Sequence, residues 1–169
     1  MTGDEKLRSN RVVYYRDTID RIDSLLKEFI RLSNAKSTFF IDRDGHLVTS
    51  VGASSKINPE TLSALVAGSF AATKELARVM GESEFNSMSH KGEKGNINIV
   101  LVGRRSIVAI LFDEKTTAGM ISLYCRELVE KFAKILDVAE RQQKLHSKES
   151  LHKDFQSSVQ EKLDDLFED

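Results

Sequence analysis

Apolar residues at Ile19, Ile22, Leu25, Leu26, Phe29 and Leu32 recur at three- and four-residue spacing, which predicts an amphipathic helix over residues 17–33. The period then shortens. Residues 37–41 (STFFI) predict a strand, Asp42-Arg43-Asp44-Gly45 a hairpin turn, and residues 46–51 the returning strand. Helical spacing resumes over residues 58–81: Asn58 suits an N-cap, Pro59 the first turn and Gly81 the stop. Leu62, Leu65, Val66, Ser69, Thr73, Leu76 and Met80 are the expected core stripe of that helix. Residues 84–90 are mainly polar around Phe85 and Met88, as an edge strand would be, and Lys91-Gly92-Glu93-Lys94-Gly95 turns the chain. Two strongly apolar strands follow, 96–102 and 106–112, joined at Gly103-Arg104-Arg105. Their near-continuous apolar character implies burial on both faces, with helices on each side of the sheet. Thr116 or Thr117 caps a last helix, with Met120, Ile121, Tyr124, Leu128, Val129, Phe132 and Leu136 as its buried stripe. The order helix, two strands, helix, three strands, helix gives an α+β fold whose five-stranded sheet is mainly antiparallel.

The helix at 58–81 has a second side carrying Ala64, Ala67, Gly68, Ala71, Ala72 and Glu75, where a solvated face would carry Lys, Glu and Gln. Gly68 in mid-helix costs ~1 kcal/mol against Ala, so a compensating close approach is expected. Either a partner's surface or the chain's own core meets this smooth side.

Residues 140–158 are charged and rich in Gln and Ser, which predicts a partly helical tether. Beyond it, Val159, Leu163, Leu166 and Phe167 make a short amphipathic patch, and Leu151 and Phe155 extend its spacing backward. Burying those four side chains yields about 6–12 kcal/mol, and ordering the segment costs a similar sum. It therefore orders only on a surface. Glu161, Asp164, Asp165, Glu168 and Asp169, against Lys162 alone, favour a basic dock. The organisation expected is an N-terminal extension (1–16), one domain (17–140), a polar connector (141–158) and an acidic amphipathic segment (159–169).

A length of 169 residues with 40% hydrophobic content suits one domain with tails. The net charge of −1 provides no overall field for nucleic acid or an anionic membrane. The single cysteine, Cys125, excludes an internal disulfide and a cysteine-cluster zinc site, and its apolar helical setting marks it as a buried thiol. There is no apolar signal core at MTGDEKLRSNR and no run long enough to span a membrane, so a cytoplasmic location without membrane insertion is expected.

No catalytic constellation emerges. A GxxxxGK[ST] loop, an HExxH pair and a GxSxG elbow are all missing. Asp42-Arg43-Asp44-Gly45 lacks the distal Glu of a calcium loop, and His46, His90, His146 and His152 have no metal-ligand spacing. Arg104 and Arg105 sit in a tight turn, where an arginine could in principle be inserted beside a nucleotide; a solvated hairpin tip is the simpler reading. No catalytic residue, cofactor or metal is expected.

The element order, the turn DRDG, the core LSALVAGSFAA followed by GESEF, and the segment IVAILFDEKTTAGMI together resemble the Roadblock/LC7 family. The resemblance implies a homodimer with sheets joined edge to edge and the two smooth helices side by side, forming a platform for a Ras-like small GTPase. Ala64, Ala67, Gly68, Ala71, Ala72 and Glu75 match that platform. It also implies a regulator that accelerates GTP hydrolysis by reshaping the GTPase, in control of cell polarity or gliding motility, with enrichment at a cell pole. Leu163, Asp164, Asp165, Leu166 and Phe167 would reach a second site on the GTPase and influence nucleotide exchange. The alternative is a scaffold that docks a GTPase or motor complex without altering its turnover.

Overall fold

The computed structural model describes residues 14–52 and 56–167, with side chains as far as His146 and at scattered positions to Gln160. The elements are α1 (Arg16–Ser33), β1 (Ser37–Asp42), β2 (Leu47–Gly52), α2 (Pro59–Val79), β3 (Ser87–Lys91), β4 (Asn96–Val102), β5 (Ser106–Phe112) and α3 (Ala118–Phe167). The strands form one sheet in the order β2-β1-β5-β4-β3, with every neighbouring pair antiparallel. The predicted α+β class and element order therefore stand.

Strand alternation divides the core between two faces. Phe39, Ile41, Ile99, Ile107 and Ala109 pack with Val66 and Phe70 of α2 on one face. On the other, Phe40 stacks on Phe132 of α3 with ring centroids 5.1 Å apart, beside the buried Val108 and Ile110. Leu25 and Phe29 of α1 share a small cleft with Leu128 of α3 on that side. Covering both faces is what makes β4 and β5 read as continuous apolar runs.

The hairpin turn is closed by Asp42, whose Oδ1 accepts from the His46 N–H at 2.8 Å, while Gly45 takes a φ of +92°. A Cβ at Gly45 would lie 3.2 Å from the Ala64 Cα, so the turn backbone rests directly on α2. At the outer edge of the sheet β3 pairs with β4 alone, and its residues are largely exposed, as the polar sequence implied.

Thr117 caps α3, its Oγ1 accepting from the Met120 N–H at 3.2 Å. Cys125 lies inside, where burial pushes its thiol up to about 11 although the Asn98 amide lies 3.5 Å from its Sγ. Residues Arg16–Leu136 make one compact unit. From Asp137 onward α3 belongs to a second unit, in which Asp137 pairs with Arg141 at 2.8 Å and the rings of Tyr15 and His146 lie 5.3 Å apart. The connector expected to be only partly helical is helical throughout, since no Gly or Pro follows Gly119 and its polar residues are good helix formers. The N-terminal extension falls largely outside the described residues, as do Glu168 and Asp169.

Candidate functional site

Helix α2 is fixed at both ends by its own sequence. Asn58 Oδ1 accepts from the Thr61 N–H at 2.9 Å, Pro59 occupies the first position, and Gly81 at φ +82° ends the helix. At that end the Glu82 N–H donates to the Ala77 carbonyl and the Gly81 N–H to the Arg78 carbonyl, so a Schellman motif satisfies the last carbonyls.

The helix is rotated relative to the stripe expected from sequence. Ser63, Val66, Ala67, Phe70 and Ala77 are the buried positions. Leu65, Leu76 and Met80, expected in the core, stand 67%, 55% and 65% exposed. The reason is packing. Phe70, the largest apolar side chain of the helix, fills the space above Phe39 and Ile107, and the Gly45 turn admits only small residues at 64 and 67. Centring the helical period on Phe70 would have found this rotation from the sequence.

Of the expected platform residues, Ala64, Gly68, Ala71, Ala72 and Glu75 lie together on the exposed face. Ala67 does not: it is 6% exposed and faces the turn at Gly45. Sequence reasoning missed Leu65, Leu76 and Val79, which border the small residues and add a broad apolar margin; Val79 is 86% exposed. Glu75 pairs with Arg78 across one turn at 2.9 Å. A Cβ placed on Gly68 would meet nothing within 4 Å, so no contact among the described residues explains a glycine there.

The loops around this helix are held by ion pairs. Arg43 of the hairpin turn pairs closely with Glu84 in the GESEF stretch after α2. Arg105 Nη2 lies 3.9 Å from Asp44, and its carbonyl accepts from the Arg43 N–H at 3.0 Å. The DRDG and GESEF motifs therefore have structural work: they tie three loops together at one end of the sheet. Leu163, Asp164, Asp165, Leu166 and Phe167 lie on the last turns of α3, with side chains outside the described residues. Among the described residues no group of three His, Cys, Asp or Glu is placed to hold a metal ion, and no helix is long and apolar enough to cross a membrane.

The fold has known counterparts. The chain resembles the gliding protein MglB from Thermus thermophilus at 31% identity and a TM-score of 0.69, covering 73% of this chain and 94% of that one. Against Myxococcus xanthus MglB the figures are 29% and 0.71, with 76% and 96% covered. A structure of MglB with a tetrameric arrangement matches at 30% identity and 0.71, with the same coverage. A comparison with curated protein sequences gives no match. The Roadblock/LC7 domain model matches residues 21–112, more than half of the chain, and with the MglB likeness this establishes that the chain belongs to the Roadblock/LC7 family.

Proposed function

We propose that this chain is a homodimeric regulator of a Ras-like small GTPase of the MglA type, raising its rate of GTP hydrolysis in the control of cell polarity or gliding motility. The exposed face of α2 carries the reading. Gly68 opens into free space, flanked by small residues and then by Leu65, Leu76 and Val79, an arrangement that suits a close-fitting protein surface. The likeness to MglB supports the same conclusion.

In the dimer, the β3 edges of two copies pair and bring the two α2 helices side by side, so that one GTPase sits across both. Ala64, Gly68, Ala71, Ala72 and Glu75 form the contact; Ala67 supports it from beneath by letting the Gly45 turn approach. Binding energy stabilises the hydrolysis-competent arrangement of the GTPase's own residues, so this chain contributes no reacting group. Leu163, Asp164, Asp165, Leu166 and Phe167 reach a second site on the GTPase and modulate nucleotide exchange.

The test is GTP hydrolysis by the cognate GTPase at fixed GTP, with and without this chain. A rise of about 10-fold or more, or roughly 1.4 kcal/mol off the barrier, is expected. Binding with an unchanged rate makes the chain a scaffold instead.

A further inference from the structure

A net charge of −1 conceals two concentrations of opposite sign. One is a groove of about 760 Å³ on the α2 side of the sheet, where the start of α2 meets the β3–β4 hairpin. Leu62, Ile97 and Leu111 form its apolar floor, and Lys36, Lys56, Lys91 and Lys94 stand around it. Asp113 offsets Lys36 from 4.0 Å, whereas Lys56, Lys91 and Lys94 form no ion pair among the described residues. A groove of this size falls within the ~300–1,000 Å³ typical of binding pockets.

One of its polar residues is also unsatisfied. Ser37, 1% exposed, lies on the α2 side of the sheet opposite Leu111, and its hydroxyl has no hydrogen-bond partner among the described residues. Buried polar atoms without partners are uncommon and costly. The lysine rim calls for carboxylates and the floor for bulky apolar side chains, a pairing that an inorganic anion lacks and an acidic amphipathic peptide brings.

The second concentration of charge has that chemistry. Residues 159–169 read VQEKLDDLFED, five carboxylates against Lys162, with Leu163, Leu166 and Phe167 between them. We propose that the lysine-rimmed groove docks residues 159–169 of a second copy of this chain. A second copy can present the segment with α3 intact as a helix. This contact does not rest on the GTPase reading. If both hold, the groove and the GTPase compete for one segment, and the groove stores it until the GTPase arrives.

The test uses a fluorescein-labelled peptide of residues 159–169 titrated with the full chain and followed by anisotropy. Saturable binding is expected, weakened about 10-fold or more by Lys56→Glu, Lys91→Glu and Lys94→Glu together, and by raising salt from about 0.05 M to about 0.5 M. A peptide with Leu166→Ala and Phe167→Ala is expected to lose a similar factor, since the apolar floor is half of the recognition. The double variant Lys56→Glu and Lys94→Glu, which leaves the β3 edge untouched, should retain the wild-type melting curve and still weaken binding, because neither lysine forms an ion pair within the described residues. No saturable binding, equal affinity for the triple variant, or equal affinity for a scrambled peptide of the same composition overturns the proposal.

Discussion

Helix α2 and the second half of α3 both leave large apolar side chains in solvent, but they reach that state differently. In α2, Leu65, Leu76 and Val79 are held in place by the opposite side of the same helix, where Val66, Phe70 and Ala77 are locked onto the sheet. Its exposed face exists before any partner arrives, and little ordering entropy remains to be lost on binding. Beyond Asp137, Leu145, Phe155 and Val159 are exposed along a polar stretch of α3. In the proposed function such a surface acts through tethering, which keeps it close to a partner that has already docked elsewhere. In that proposal one region is a preformed dock and the other is an arm.

The strongest way to break this contrast is to remove an anchor from each region. Phe70→Ala should cost about 3–5 kcal/mol in urea denaturation, while Phe155→Ala, at a residue 68% exposed, should cost less than about 0.5 kcal/mol. Equal losses would mean that the arm is as firmly packed as α2. Next in size is Ala64→Arg combined with Gly68→Arg. Long cationic side chains on the preformed face should weaken GTPase binding by about 100-fold or more, roughly 2.7 kcal/mol, and leave the dimer intact by sedimentation. Wild-type affinity in that variant would move the dock elsewhere.

Deleting residues 142–169 sharpens the other half of the comparison. The fold should survive, with its melting temperature nearly unchanged, while GTPase affinity or nucleotide exchange shifts by about 10-fold through the loss of a tethered contact. If both stay constant, the segment has no role on the GTPase. The smallest effect is expected for Gly68→Ala. In open space the added methyl should raise stability by about 0.5–1 kcal/mol through helix propensity. A loss of stability instead would show that Gly68 meets a surface even in the absence of the GTPase, as in a dimer contact.

Much of this was legible in the chain itself. The DRDG turn, the Asn58 cap, the Gly81 stop and the paired apolar strands each follow from local backbone preferences, and each appears in the structure where it was expected. The candidate site was legible only in part. Ala64, Gly68, Ala71, Ala72 and Glu75 share one exposed face, while Ala67 is buried and Leu65 and Leu76, expected inside, are exposed.

The sequence by itself determined the order of helices and strands, most of their ends, and that α2 carries an unusual excess of small residues. The edge strand expected at 84–90 lies at Ser87–Lys91, and α3 runs on through the connector. Period, caps and turns act over a few residues, so they can be read without knowing the fold. Only the tertiary structure decided which side of α2 is buried. From Leu62 to Ala72 that helix has only apolar or small residues, and the choice between Leu65 with Leu76 and Val66 with Phe70 rests on the sheet face and the Gly45 turn it must fit. Tertiary structure likewise gathered Lys36 and Lys56 with Lys91 and Lys94 of the distant β3–β4 hairpin around one groove, in a chain with almost no net charge.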